Sequence, residues 1–305
     1  MISYRKLAMH ILGRPLTFLG GGVYKTRPLP QRAAALALTA ALLTGAAFPA
    51  FAGTYYIEDG DIVISAGTKT GTNKVEQTGK ETVENDRDTI VTNRKEDTAS
   101  SHTVTINAED KNDKVEVKLK DVNIDGRSQN KAAVSVTGSG NTTIELDGSN
   151  TLKSGSGHAG LEHNKTDTSG ELTIQDNDKN GSLKAAGGQY GAGIGGAGAA
   201  NDAQVKITGG KITATGGEYG AGIGGGFKGS GDVTISGGEI HANGGNYGAG
   251  IGGGDYSSGK VTISGGEINA TGGYLGAGIG GGEKGSGDVT ITCLLYTSPS
   301  PRDYA

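Results

Sequence analysis

The sequence predicts an all-β fold, a β-solenoid of about seven coils with roughly 28 residues in each. The string GAGIGG recurs at spacings of 29, 28 and 28 residues, with its isoleucine at Ile194, Ile223, Ile251 and Ile279. Each unit holds three short segments in which apolar and polar residues alternate, which is the pattern of β-strands. Glycine pairs such as Gly237-Gly238 and Gly244-Gly245 separate these segments. Because glycine takes a positive φ without steric cost, each pair predicts a corner between strands.

Three sets of apolar positions extend this register over residues 113–292, which we assign to the solenoid. The first strands contribute Val117, Ile144, Leu172, Val205, Val233, Val261 and Val289. The second strands contribute Ile124, Leu152, Leu183, Ile212, Ile240 and Ile268. The third strands contribute Val134, Leu161, Ile194, Ile223, Ile251 and Ile279. Each coil would bury these side chains only against its neighbours, so stability should accrue coil by coil.

Residues 53–112 are less regular and more charged, and we predict an N-terminal cap with a polar loop region. The alternation in Tyr55–Ser65 and in His102–Asn107 predicts strands. The stretch Lys69–Asp97 is mostly polar and is predicted to be a loop.

Residues 1–52 are predicted to be a signal peptide. They carry six basic residues and no acidic one, and the apolar run Ala33–Ala47 precedes the small-residue site Ala50-Phe51-Ala52. This order is typical of a secretory signal, and the run is shorter than the roughly 20 residues that span a bilayer. Cleavage after Ala52 would leave a mature chain without a membrane span, in an extracellular or cell-surface location. An uncleaved anchor is the alternative.

Residues 293–305 differ in type from residues 53–292, which contain no proline, methionine, cysteine or tryptophan. The string CLLYTSPSPRD resembles a translated transposase sequencing adapter. We therefore expect a non-native, adapter-derived tail and a solenoid truncated in mid-coil after Thr292. Because the single cysteine, Cys293, lies in this tail, the solenoid should have neither a disulfide framework nor a thiolate metal site.

The charge distribution argues against nucleic acid as a partner. The formal net charge is −4, and the basic leader makes residues 53–292 more acidic than the whole chain. Within residues 53–292 the arginines are Arg87, Arg94 and Arg127. Neutralising phosphates requires clustered cations, which this pattern lacks.

Two motifs resemble ligand-binding loops. GAGIGG matches a dinucleotide-binding pattern, but strands rather than a helix are expected after it, so a repeated glycine-rich corner is the better interpretation. Asp176, Asp178 and Asn180 match the first half of a calcium loop, whose twelfth position is Gly187 instead of a bidentate glutamate. Calcium is therefore the one cofactor we consider, and a simple turn is the alternative.

The aromatic residues supply the candidate binding positions. Tyr190, Tyr219 and Tyr247 recur at spacings of 29 and 28 residues and share the parity of the inward residues, so we predict that they pack in the interior. A sugar-stacking ladder is the alternative. Phe227, Tyr256 and Tyr274 fall outside the inward register and are the candidate carbohydrate-binding residues.

The sequence offers no catalytic constellation. Catalysis on polysaccharides needs paired carboxylates or a positioned base, and no coil concentrates acids and bases. His158 and His163 lie near Glu162, which we interpret as a solvated pair in a turn. We therefore predict no enzyme activity and assign no catalytic residue.

The GAGIGGG coils, the VTISGGEI strands and the stretch Asn141–His163 resemble bacterial secreted β-helix proteins described as carbohydrate-binding-domain-containing, which are common in gut Firmicutes. The resemblance covers roughly residues 113–292. It implies a right-handed parallel β-helix, an extracellular location and association with polysaccharide or cell-wall glycans, sometimes with calcium. We therefore expect a non-catalytic module that binds carbohydrate or mediates adhesion. A polysaccharide-degrading β-helix enzyme and a purely structural stalk are the alternatives.

Overall fold

A computed structural model describes residues 53–165, 169–198 and 202–292 of the chain. The predicted signal peptide and the predicted adapter-derived tail lie outside these ranges, so both stay predictions. Within the described ranges, no helix is both long enough and apolar enough to cross a membrane.

The described residues form 25 strands and two short 3-10 helices, Ile57–Asp59 and Gly126–Gln129. The first thirteen strands are β1 (Thr54–Tyr56), β2 (Ile62–Ala66), β3 (Asn73–Gln77), β4 (Val83–Asp86), β5 (Thr89–Thr92), β6 (Val104–Ala108), β7 (Lys114–Lys120), β8 (Asn123–Asp125), β9 (Val134–Gly138), β10 (Asn141–Asp147), β11 (Ser149–Lys153), β12 (Leu161–Lys165) and β13 (Leu172–Gln175). The remaining strands are β14 (Ser182–Ala186), β15 (Ile194–Gly195), β16 (Asp202–Ile207), β17 (Lys211–Thr215), β18 (Ile223–Gly224), β19 (Gly231–Ile235), β20 (Glu239–Asn243), β21 (Ile251–Gly252), β22 (Gly259–Ile263), β23 (Glu267–Thr271), β24 (Ile279–Gly280) and β25 (Gly287–Ile291).

These strands stack in three columns of parallel strands, which form a β-solenoid of about seven turns and confirm the predicted fold class. The first column contains β1, β5, β7, β10, β13, β16, β19, β22 and β25. The second column contains β8, β11, β14, β17, β20 and β23. The third column contains β2, β6, β9, β12, β15, β18, β21 and β24.

The core is the stack of inward side chains from the three columns. Val233 in the first column, Ile240 and Ala242 in the second, and Ile223 in the third are fully buried. Each contacts its equivalents one coil before and one coil after, so a chain with few aromatic residues still encloses an apolar interior. In the last described coil Ile291 is 42 % exposed.

The predicted register holds along the whole third column. In the other two columns it is wrong at one junction, from β10 to β13 and from β11 to β14, and holds on both sides of it. Ile144 pairs with Ile174 rather than with Leu172, which pairs with Thr142. In the second column Leu183 pairs with Asn150. The shift is two residues, so every side chain keeps its inward or outward direction. The apolar pattern does not reveal this shift, because the inward residues Thr142 and Asn150 are polar.

The stacking begins earlier than residue 113. β1 and β5 extend the first column, and β2 and β6 extend the third. The predicted loop Lys69–Asp97 is wrong, because it contains β3, β4 and β5. β3 and β4 are antiparallel strands that cover the outer edge of β2, which is how a cap protects unpaired backbone groups. Asn73 and Gln77 point inward from β3, and their amides donate to the carbonyls of Glu116 and Tyr56.

The glycine pairs form corners for two different reasons. Gly238 has a φ of +97°, as a corner with left-handed backbone requires. Gly245 has no such φ, yet a Cβ at this position would overlap the carbonyl oxygen of Gly217 in the preceding coil. The predicted positive φ is therefore wrong for the pair Gly244-Gly245. There glycine is required by the close approach of two coils.

Candidate functional site

Five aromatic rings lie together at one corner of consecutive coils, and we call this set, Tyr190, Tyr219, Phe227, Tyr247 and Tyr256, the aromatic corner. The ring centroids of Tyr190 and Tyr219 are 5.2 Å apart, with 10° between the ring planes. Those of Tyr219 and Tyr247 are 5.1 Å apart, with 5° between the planes. Both distances are close to the spacing of neighbouring strands. The three tyrosines therefore form a stacked ladder, with one ring in each coil.

The position of the ladder corrects the prediction that these tyrosines pack in the interior. Tyr190 is 37 % exposed, and the other two are half-buried at the surface. Side chains alternate between inward and outward only within a strand, and the strand after Tyr219 begins at Ile223. Before that strand, the N–H of Gly220 donates to the carbonyl of Gly217 at 3.1 Å. This turn interrupts the alternation and leaves Tyr219 at the surface.

Two of the predicted carbohydrate-binding residues belong to the aromatic corner. The ring centroid of Phe227 is 5.7 Å from that of Tyr190 and 5.6 Å from that of Tyr219, with tilts of 58° and 68°. Tyr256 is 51 % exposed, and its ring lies 6.5 Å from that of Phe227 at 83°. The third predicted residue, Tyr274, is 92 % exposed, and none of these five rings contacts it.

Lysine side chains lie against two of the rings. Lys228 Nζ is 5.1 Å from the centroid of Phe227, and Lys284 Nζ is 4.4 Å from the centroid of Tyr256. Lys284 Nζ also donates to the Tyr256 hydroxyl at 2.8 Å. Lys228, Tyr256 and Lys284 occupy the same turn position in successive coils, each with a left-handed φ of 57° or 58°. Each cation–π contact contributes about 0.5–1 kcal/mol at an exposed site.

Three carboxylates accompany the aromatic corner: Glu218, Asp255 and Glu283. Asp255 is 3 % exposed, and its Oδ1 has no hydrogen-bond partner among the described residues. Burial, and secondly the Glu283 carboxylate, raise the pKa of Asp255. Asp255 is not evident from a single coil of the sequence, because the groups around it come from the neighbouring coils. The signal was the spacing of 28 residues, which places Phe227, Asp255 and Glu283 at equivalent positions.

The prediction that Glu162 belongs to a solvated turn is wrong. It lies in β12 and is 7 % exposed. Its Oε2 is 2.9 Å from Nδ1 of His158 and accepts the N–H of Ala159 at 3.2 Å, while its Oε1 accepts from Asn164 at 3.1 Å. Both carboxylate oxygens therefore have partners within the fold, which gives this group a structural part in holding the turn before β12.

His163 should make the stability of the fold sensitive to acid. It is 2 % exposed, its ring nitrogens face the carbonyls of Val136 and Gly170, and burial lowers its pKa. A folded state that holds the imidazole neutral is favoured above the ordinary pKa of about 6.5, and this contribution is lost as the pH falls through the lowered pKa. We expect the melting temperature to fall between about pH 7.5 and about pH 5, and to fall less in the variant His163→Gln.

Thermal unfolding of both proteins in the same two buffers, followed by circular dichroism, measures this difference. Because the other histidines are shared by both chains, their contributions cancel in the comparison. An equal fall in both chains would contradict the assignment to His163.

The predicted calcium-binding residues form a turn after β13. The Asp176 carboxylate accepts the backbone N–H of Asn180 at 3.2 Å, and Lys179 has a left-handed φ of 57°. Asp178 is exposed. Within residues 53–165, 169–198 and 202–292, no three side chains of histidine, cysteine, aspartate or glutamate are grouped so that they could hold a metal ion. The geometry observed here is that of the turn, and calcium binding stays a prediction.

The comparisons with known proteins agree with the coil architecture. A family model described as a beta helix repeat matches residues 205–227, 233–255 and 261–283. These segments contain most of the aromatic corner and are one coil apart. No curated protein and no solved structure matches the chain. The stacked columns and the matched repeats together show that the described residues form a parallel β-solenoid that contains beta helix repeats.

Proposed function

We propose that this chain is a non-catalytic secreted or cell-surface module that binds carbohydrate or mediates adhesion. The observation that carries the proposal is the aromatic corner, where five rings cluster at the surface of consecutive coils. Contiguous aromatic surface with a polar border is typical of binding sites. Tyrosine suits such a site because its ring packs on apolar surface while its hydroxyl makes hydrogen bonds.

The surroundings of the rings favour a ligand rich in hydroxyl groups. Glu218 accepts from the Gln189 amide at 3.0 Å, and the exposed Lys228 lies with its ammonium group 5.1 Å from the Phe227 centroid. These groups offer both donors and acceptors beside the rings. A carbohydrate combines apolar ring faces with hydroxyls that donate and accept, so it can use both kinds of surface.

A glycan array with the purified chain tests the binding, and a reducing-sugar assay on the same polysaccharides tests for turnover. We expect binding without sugar release. The variant Tyr219→Ala removes the central ring of the ladder and should weaken binding at least tenfold, or by about 1.4 kcal/mol. The matched control is Tyr56→Ala, which removes a half-buried tyrosine from the first strand, far along the stack from the aromatic corner.

Each alternative function has its own outcome in this experiment. Release of reducing sugar would favour the polysaccharide-degrading enzyme and overturn our proposal. An array with no bound glycan would favour the structural stalk and overturn it as well. Equal binding by the Tyr219→Ala and Tyr56→Ala variants would move the site away from the aromatic corner.

A further inference from the structure

We infer that the ligand of the aromatic corner is a neutral, extended, β-linked polysaccharide that runs parallel to the coil axis, with one sugar at each coil. This inference rests on the proposed function and adds the direction, the repeat and the charge of the ligand. Four features of the aromatic corner carry it: the ring spacing, the ring directions, the charges and the number of equivalent positions.

The ring spacing matches an extended glycan. Tyr190, Tyr219 and Tyr247 repeat at 5.2 and 5.1 Å with nearly parallel planes, so their outer edges form a row along the axis. An extended β-linked chain of pyranoses advances at each sugar by about the spacing between neighbouring strands. Such a chain laid along the row would place one sugar beside each tyrosine, with identical groups at every second coil because neighbouring sugars are turned to face opposite ways. A chain laid across the row would meet only one ring of the ladder.

The ring directions suit a sugar that lies along the axis. Both faces of Tyr219 are covered by its stacked neighbours, so a ligand meets the edge of this ring and its hydroxyl. The ring plane of Phe227 is tilted by 68° to that of Tyr219, so its face points in a different direction from the covered faces of the ladder. A sugar ring in an axial chain can therefore stack on Phe227 when the exposed side chain of Lys228 turns away.

The charges favour a neutral chain over an anionic one, because three carboxyl groups accompany the two lysines Lys228 and Lys284 at the aromatic corner. The cation of Lys284 is already engaged, because it lies 3.3 Å from Glu283 Oε1 and donates to the Tyr256 hydroxyl. The Glu218 carboxylate accepts from the neutral amide of Gln189, which does not neutralise its charge, so this group would repel an anion. A chain of acidic sugars would bring one carboxylate to each coil beside these acidic groups.

The number of equivalent positions predicts how affinity depends on ligand length. Leu275 occupies the next equivalent position after the three tyrosines. Its N–H donates to the carbonyl of Asn246, just as the N–H of Tyr247 donates to the carbonyl of Glu218 one coil earlier. Four positions therefore line the row. Affinity should increase with each added sugar up to about four and then level off, because later sugars extend beyond the row.

Calorimetric titration with cello-oligosaccharides and chito-oligosaccharides of two to six sugars tests the inference, with oligogalacturonides of the same lengths as the anionic comparison. The variants Tyr190→Ala and Tyr247→Ala shorten the ladder from opposite ends. Each should lower the affinity for the four-sugar ligand about tenfold and change the affinity for the two-sugar ligand much less. Tyr56→Ala is again the control. Circular dichroism verifies that each variant keeps its β-structure.

The outcomes separate this inference from the proposed function. Affinity that rises to four sugars and depends on both end tyrosines supports the axial arrangement. A plateau at two sugars, or tighter binding of the oligogalacturonides, overturns the inference and leaves carbohydrate binding intact. A glycan array that is positive while both neutral series fail to bind also overturns it. A negative array overturns the proposed function itself.

Discussion

The substitution Gly217→Ala is expected to destabilise the solenoid by about 3 kcal/mol or more. The Cβ that it introduces would overlap the carbonyl oxygen of Gly188 in the preceding coil, and the overlapping atom belongs to the backbone and cannot rotate away. Relief therefore requires the two coils to separate. Because each coil is stabilised mainly by its neighbours, separation should also reduce the cooperativity of unfolding.

Equilibrium unfolding in urea, followed by the β-sheet signal in circular dichroism, measures this effect as a lower midpoint and a broader transition. Gly157→Ala is the matched control, because a Cβ at Gly157 meets no atom within 4 Å and its φ is not left-handed. The control should change the unfolding free energy by no more than about 0.5 kcal/mol. Similar midpoints for the two variants would mean that the coils adjust without cost, contrary to the close approach described here.

The substitution Asn150→Ala should destabilise the protein by about 3 kcal/mol or more, because it removes three hydrogen bonds of a fully buried side chain and leaves the Val122 N–H without this partner. Asn150 is fully buried at an inward position of β11. Its Oδ1 accepts the N–H of Val122 at 2.9 Å, and its Nδ2 donates to the carbonyls of Asp147 and Ser182, both at 3.1 Å. One side chain thus satisfies groups in three successive coils.

Urea unfolding of three variants distinguishes hydrogen bonding from packing. Asn269→Ala removes an exposed asparagine from β23 and should be nearly neutral. Asn150→Leu keeps the branched shape and fills at least the volume of the amide but makes none of its three hydrogen bonds, so it should be about as destabilised as Asn150→Ala. Recovery of stability in the leucine variant would show that the site requires volume rather than an amide.

Much of the coil register could be predicted from spacing alone. The positions of Val205, Val233 and Val261 follow one strict repeat, and the structure pairs them as expected. The same method failed at Thr142 and Asn150, because inward polar residues interrupt the apolar alternation on which it depends. It also failed over Lys69–Asp97, where inward Asn73 and Gln77 hydrogen-bond to backbone groups that are distant in the sequence.

The candidate site was predicted in part. Phe227 and Tyr256 were selected because they break the inward parity, and the structure places both in the aromatic corner. Tyr219 was assigned to the interior because its parity matches that of Ile223, but parity carries no information across the turn that separates them. Asp255 was missed because its neighbours come from other coils.

By itself, the sequence determined the all-β class, the length of the coil and the side chains that fill its interior. These properties follow from local alternation and from a repeat of 28 residues, both of which are written along the chain. Only the tertiary structure decided which glycines adopt a positive φ and which are required because two coils approach each other closely. It alone placed Tyr190, Tyr219 and Tyr247 in one surface ladder beside the buried Asp255 carboxylate. Those outcomes depend on the path of the turns and on the contacts between coils, where residues about 28 positions apart become nearest neighbours.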